Sequence, residues 1–215
     1  MGNVYGTPQK VGMKALLFRI AVESLKNDGW KVEREPGSGK SSVRRITRGN
    51  DSKLVSIRTT QDTWIAFPRT EGDMSWRTLD DVDAVVPVSV DDRESPKFAK
   101  VHLIPGDEVR SRFNRAYKAR KDAKHSIPVG RGVWVSLYHQ EASDPVSYVG
   151  AGMGLKFPPF ATVPLSSEQL AAAASGDDKN AAPAEEGPLS IAEAKRRLAL
   201  TLGVDAANIK ITVEA

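Results

Sequence analysis

The 215 residues contain no cysteine, which excludes disulfide bridges, thiolate metal sites and cysteine nucleophiles. Histidine is scarce, and His102, His125 and His139 are too scattered to read as a metal site. No apolar run approaches the roughly 20 residues that span a bilayer, and the first residues lack the charged, apolar and small-residue order of a secretory signal. These absences predict a soluble, cytoplasmic chain that has no membrane contact and needs no metal and no cofactor. What is present, 40% hydrophobic residues over this length, suffices for one sizeable core plus a small appendage.

The net charge of +4 hides alternating blocks. Residues 1–69 hold 13 basic and 6 acidic groups, 70–95 hold 2 and 8, and 96–138 hold 10 and 3. Residues 139–188 hold 2 and 7, and 189–215 hold 4 and 3. Two blocks of excess positive charge within one domain could converge on a polyanion, because neutralised phosphates release counterions. An unevenly charged soluble surface would give the same pattern.

Leu16, Leu17, Ile20, Ala21 and Leu25 recur at helical spacing, which predicts a helix over 11–28 that stops at Gly29. Trp30–Arg34, Ser42–Thr47, Lys53–Thr59 and Thr63–Phe67 read as strands of a meander, with turns at Pro36–Gly39 and Gly49–Asp51. The run Ala84–Val90 is apolar enough for a buried strand, although Pro87 argues for an edge or a bulge. A strand over Phe98–Ile104 leads to a helix from Asp107, a candidate N-cap, to about Ala123. Val109, Phe113, Ala116 and Tyr117 make its apolar stripe, with Arg110, Arg115, Lys118 and Lys121 on the other side. Val133–Tyr138 is the last strand of the main domain.

Beyond it the boundaries follow composition. Residues 1–138 form the core domain, 139–165 a Gly- and Pro-rich irregular extension, and 166–188 an Ala-, Ser- and acid-rich flexible linker with at most one short helix at its start. Residues 189–215 read as a helix, with capping-box spacing from Ser190 to Glu193, followed by a strand in which Ile209, Ile211 and Val213 alternate with polar residues. Such a pair is too small to fold alone and needs a docking partner: its own domain, another copy, or another protein. Neither Gly150-Ala-Gly-Met-Gly154 nor Gly37-Ser-Gly-Lys-Ser41 reads as a phosphate loop. The first lacks strand-to-helix context, and the second has Arg34 where a glycine is required.

The helix leading into Gly29-Trp30-Lys31-Val32, the strands Lys53–Thr60 and Trp64–Phe67, and Asp81–Val86 followed by Val101–Pro105 occur in a distinctive order. Over about residues 11–138 that order resembles the PD-(D/E)XK nuclease superfamily, especially its compact homing-endonuclease and Holliday-junction-resolvase-like members. The resemblance implies an α/β (α+β) fold with a restriction-endonuclease-like core, a mixed sheet flanked by helices.

The family holds Mg²⁺ on a carboxylate near the second strand and an acid-x-lysine on the third. Here the second strand reads Val43-Arg44-Arg45-Ile46, and Ser56 and Arg58 stand at the acid and lysine positions. Arginine cannot give up its proton at ordinary pH, so cleavage by that mechanism is expected to be lost and no catalytic residue is assigned. The exchange makes the site basic instead. Arg44, Arg45, Arg48 and Arg58 become candidate phosphate contacts, with Gln61 and Trp64 for base-edge or stacking contact, and Arg110, Arg115, Lys118 and Lys121 as a second basic face.

The resulting expectation is a nucleic-acid-binding pseudo-nuclease, duplex DNA favoured, acting as a bacterial-type regulator or organiser of DNA, with residues 189–215 joining an oligomer or a protein partner. Two alternatives stay open. One is an active Mg²⁺-dependent endonuclease using Glu23, Glu33, Glu35 and Asp51, and the other is a protein-interaction adaptor working through the C-terminal segment.

Overall fold

Thr7 and Pro8 fix the start of the first helix. The Thr7 hydroxyl accepts from the Lys10 amide at 3.4 Å, and Pro8 at the first position lacks only an N–H that a helix leaves unpaired anyway. Helix α1 (Pro8–Asn27) thus begins before residue 11, and it stops at Gly29, whose φ of +86° suits glycine. The structure, a computed structural model, describes residues 7–35, 42–70, 74–128 and 130–175, together with 195, 205 and 208–211.

After α1, the strands β1 (Lys31–Arg34), β2 (Val43–Arg48) and β3 (Asp51–Thr60) form the expected antiparallel meander. The proposed turn at Pro36–Gly39 lies outside the described residues. Strand β3 also pairs in parallel with β5 (Ala84–Val90), which pairs antiparallel with β6 (Phe98–Val101) and β7 (Ile104–Pro105). Strand β9 (Ala161–Pro164) adds to β6, giving a seven-stranded mixed sheet. The fourth strand, β4 (Trp64–Pro68), leaves this sheet and forms a separate antiparallel ribbon with β8 (Gly132–Ser136). Helices α2 (Gly106–Asp122), α3 (Met153–Lys156) and α4 (Ser167–Ser175) complete an α+β architecture.

The sheet is buried on both faces. On one, Leu16, Leu17, Ala21 and Leu25 of α1 pack against Ile46, Val55, Ile57, Val86 and Val88, joined by Leu165 and by Ala173 of α4. On the other, Val43 and Val85 meet Val109, Phe113 and Ala116 of α2, Ile65, Phe67, Val133 and Val135 of the ribbon, and Met153 of α3. A strand covered on both faces needs no polar alternation, which is why all of Ala84–Val90 is buried and uninterrupted by charge.

Pro87 departs from the sequence reading, because it sits at neither an edge nor a bulge but midway along the central strand β5. The His102 amide donates to the Pro87 carbonyl at 3.0 Å, while Pro87 has no N–H to return. The missing bond falls where β6 ends and β7 has yet to begin, so one proline divides what would otherwise be a single partner strand.

Asp107 is not the cap of α2. Pro105 holds that place, and Asp107 in the first turn accepts from Arg110 at 2.5 Å. The segment 139–165 is built into the domain, since it supplies α3, an edge strand and three core residues, Ala151, Met153 and Leu165. Its glycines serve close packing. A Cβ on Gly150 would lie 2.4 Å from the Arg112 carbonyl oxygen, and one on Gly154 would lie 2.8 Å from the Tyr138 ring.

The chain divides into two units, residues 1–184 and 185–215. Almost all of the expected C-terminal helix and strand lies outside the described residues. Within it, the Asn208 amide donates to the Asp205 carbonyl at 3.0 Å, and Ile209–Ile211 join no strand among the described residues. No helix among the described residues is long and apolar enough to cross a membrane.

Candidate nucleic-acid interface

Strand alternation sends the arginines of β2 to opposite faces of the sheet. Arg44 is buried on the α1 side, 4.8 Å over the Phe18 ring, with a bond of 2.7 Å to the Val43 carbonyl. Burial lowers its pKa, and neighbouring Arg34 adds to the effect. Arg48, on the same side, lies 4.3 Å over the Trp30 ring and reaches Asp28 at 3.2 Å. Lys53 sits 5.1 Å over the same indole. Arg45 points the other way, into a two-pronged pair with Glu35 at 2.9 Å.

Arg58 and Ser56, the β3 residues that the resemblance singles out, face the interior between the sheet and the α2 layer. The Arg58 guanidinium lies 4.3 Å over the Phe67 ring, and Ser56 Oγ is buried with no hydrogen-bond partner among the described residues. From Phe67 a chain of edge-to-face rings runs outward: Phe113 at 5.2 Å, Trp76 at 5.4 Å and Tyr117 at 5.8 Å. Arg69 stacks on both Trp76 and Tyr117, and Lys121 lies 5.8 Å over Tyr117. A cation–aromatic ladder therefore links the interior Arg58 to the half-buried Arg69 and the exposed Lys121.

The basic side of α2 is only partly a solvent face. Arg110 donates to the carbonyls of Leu79 at 2.8 Å and Val82 at 3.0 Å. Arg115 clasps Glu141 at 3.0 and 2.9 Å, a contact that holds the Glu141 carboxyl below its usual pKa. Lys118 pairs with Asp122 at 2.6 Å, and that pair is exposed. Two arginines absent from the sequence reading tie the helix to its neighbours. Arg112 binds Glu108 and the Gly150 and Ala151 carbonyls, while Arg120 donates to the Trp134 carbonyl at 2.7 Å and the Ser147 carbonyl at 3.3 Å.

The β4–β8 ribbon shows what the sequence hides. Ile65, Phe67, Val133 and Val135 turn inward, so Trp64, Ala66 and Pro68 share the outer face with Gly132 and Trp134, while Ser136 at the end of β8 is buried and bonded to His139. Trp134 is 54% exposed in the middle of that face, opposite Ala66. At one end Trp64, His139 and Tyr148 form a half-buried ring cluster, with His139 stacked on Tyr148 at 4.5 Å. Nearby, Gln61 is spent on the Lys10 carbonyl at 3.2 Å. At the other end Arg69 and Arg131 flank the Pro68–Gly132 pair, and the exposed Arg77 joins through its amide, 2.9 Å from the Pro68 carbonyl. Trp134 read as an ordinary strand residue in the sequence. The signal that could have marked it is its out-of-phase position between two inward valines.

A second polar feature lies under the ribbon. His102, fully buried, approaches the Phe157 carbonyl through Nδ1 at 2.7 Å, and a carbonyl can only accept, so Nδ1 carries the proton. Nε2 then accepts from the Tyr138 hydroxyl at 2.8 Å, whose oxygen is met by Ser89 Oγ at 2.7 Å. Burial lowers the His102 pKa, helped by Lys100, and raises that of Tyr138.

Among the described residues no group of three or more His, Asp or Glu side chains is placed to hold a metal ion. Of the acids proposed for an active endonuclease, Glu23 pairs with Lys26, Glu33 with Lys31, Glu35 with Arg45 and Asp51 with Lys53. No protein-family model, no curated protein and no solved structure matches the chain.

Proposed function

We propose that this chain binds nucleic acid without cutting it, as a regulatory or DNA-organising protein built on a catalytically inactive, restriction-endonuclease-like core. The observation that carries this reading is the group of cations near one end of the β4–β8 ribbon, where Arg69 and Lys121 stack on Tyr117 and the exposed Arg77 and Arg131 lie next to the Pro68–Gly132 pair, on a ribbon that also bears the exposed Trp134. Cations there reach phosphates, and a flat aromatic surface beside them accepts bases or sugars. Arg48 and Lys53 on the β2–β3 hairpin give a further set, since their ion pairs are largely exposed and each is worth only about 0–1 kcal/mol, little resistance to exchange for phosphate oxygens, whereas Arg45 is held by its part-buried, two-pronged pair with Glu35.

The lost chemistry in this reading rests on Ser56 and Arg58, which offer no hard anionic oxygen. The same reading keeps the protein in the cytoplasm and gives residues 189–215 a docking role on a second copy or a protein partner.

A gel-shift titration with Mg²⁺ present tests it. Retarded, intact DNA is expected, with affinity falling steeply from about 50 to about 200 mM salt. Mg²⁺-dependent cutting would overturn the inactive assignment, and absence of salt-sensitive binding would overturn the nucleic-acid reading.

A further inference from the structure

The seven-stranded sheet ends on one side at β1, and no strand among the described residues pairs with its outer edge. The backbone groups offered there follow from the ladder beside it. The Ile57 amide donates to the Ser42 carbonyl at 2.9 Å, and the β2–β3 hairpin closes on the Arg48–Asp51 pair. In an antiparallel ladder, residues that bond to one neighbouring strand alternate with residues that bond to the other, so Arg44, Ile46 and Arg48 serve β3 while Arg45 and Thr47 serve β1. Their partners on β1 are Glu33 and Lys31. The N–H and C=O groups of Val32 and Arg34 therefore point away from β2, at the open edge.

The side chains of this edge carry both signs. Lys31 and Glu33 share one face of the strand, 2.9 Å apart, with side chains 69% and 48% exposed. Val32 faces the other way and is half-buried against the α1 core. Charges of one sign on an edge repel a copy of the same edge, a common protection of exposed strands. Here the charges are self-complementary in one register. Antiparallel pairing about a two-fold axis at Val32 sets Lys31 of each copy opposite Glu33 of the other, while the two Val32 backbones exchange N–H···O=C bonds. An axis at Lys31, Glu33 or Arg34 would set like charges against each other, and a one-residue slip would oppose side chains of different faces.

We propose that β1 is a dimerisation edge, pairing with β1 of a second copy of this chain about an axis at Val32. This pairing needs neither nucleic acid nor residues 189–215. A four-residue edge buries well under the roughly 1,200 Å² of a stable interface, so the dimer is weak, with a dissociation constant on the order of 10 µM to 1 mM.

Sedimentation velocity of the full chain without nucleic acid, at concentrations spanning that range, should show a monomer–dimer equilibrium. Val32→Pro removes an outward N–H that β2 does not use, so it should abolish association while leaving the far-UV circular dichroism of the monomer unchanged. Lys31→Glu leaves two acids on the edge and Glu33→Lys leaves two bases, and each should weaken self-association by at least about fivefold, because symmetry makes both cross-strand pairs repulsive. Mixed in equal amounts, these two variants should associate with each other at least as tightly as the unaltered chain with itself. That recovery cannot come from the Lys31–Glu33 pair within one chain, which neither variant has.

A chain that stays monomeric throughout the range, a dimer indifferent to both charge reversals, or a mixture that associates no better than its components would overturn the proposal. Should Val32→Pro unfold the chain, the mixture still decides.

Discussion

Replacing Tyr138 by Phe removes one oxygen and with it two hydrogen bonds, at 2.7 Å to Ser89 Oγ and 2.8 Å to His102 Nε2. Ser89 and His102 are both fully buried, so neither polar atom regains water when its partner leaves. His102 is the worse placed. Its only ring proton is on Nδ1, committed to the Phe157 carbonyl, and Nε2 becomes a buried acceptor facing a ring edge. A buried polar group stripped of its partner costs about 1–3 kcal/mol, and the Ser89 hydroxyl can rotate to soften its own loss, so the expected destabilisation is about 2–4 kcal/mol. Urea unfolding at about pH 7.5, well above the histidine range, should show this as a lower midpoint at unchanged slope. Adding Ser89→Ala to Tyr138→Phe should cost less than Ser89→Ala alone, because the bond it would break is already gone. A loss below about 0.5 kcal/mol in Tyr138→Phe would refute the reasoning, since it would mean that the network contributes no more than water would supply.

Three further outcomes follow from the same geometry. A Cβ on Gly12 would lie 1.9 Å from the backbone oxygen of Ala173, so Gly12→Ala should push α4 off α1 and destabilise by about 1–3 kcal/mol, seen as faster amide exchange across Ser167–Ser175; unchanged protection there would contradict the close helix contact. The pKa of His102 is lowered by burial, so the unfolded chain takes up this proton first and stability should fall as pH drops below 6.5 towards the folded value. Glu108 and Glu141 are held below 4.5 chiefly by Lys156 and Arg115, so their stabilisation is present above 4.5 and should be lost as pH falls through the folded values; flat stability across both intervals would argue against the two networks. Arg120→Met takes the donor from the exposed Trp134 carbonyl and the part-buried Ser147 carbonyl and should cost about 0.5–1.5 kcal/mol in thermal or urea unfolding, whereas no change would show that the tie is optional.

Helix α1, the meander and β5 were legible because each carries a local signal: a 3.6-residue period in Leu16–Leu25, turn residues at Gly49–Asp51 between two strands, an unbroken apolar run in Ala84–Val90. Pairing partners were not. Nothing within Trp64–Pro68 says that it leaves the meander to meet Gly132–Ser136, because that choice is made by distant packing: Ile65 and Phe67 can bury their side chains only by joining Val133 and Val135 over Phe113. Strand β9 hid for a related reason. Ala161–Pro164 is short and proline-ended, a sequence that suits a sheet edge and reads as a loop until β6 is seen beside it.

The candidate site was harder still, because a helical wheel gives the direction of a side chain and not what meets it. Arg110 and Arg115 do leave the apolar stripe of α2, yet one finds the carbonyls that end the Leu79–Asp81 turn and the other finds Glu141, many residues away. The same holds in the sheet, where alternation correctly separates Arg44 from Arg45 but cannot reveal that Phe18 covers one and Glu35 takes the other. Arginine suits these places because its planar fork serves carbonyls, carboxylates and ring faces at once, and a lysine would satisfy only one. Positive charge in this chain therefore divides by side-chain reach. Arg110, Arg112 and Arg120 tie α2 to neighbouring carbonyls, Arg69 stacks on Trp76 and Tyr117, and Arg77, Lys121 and Arg131 are exposed.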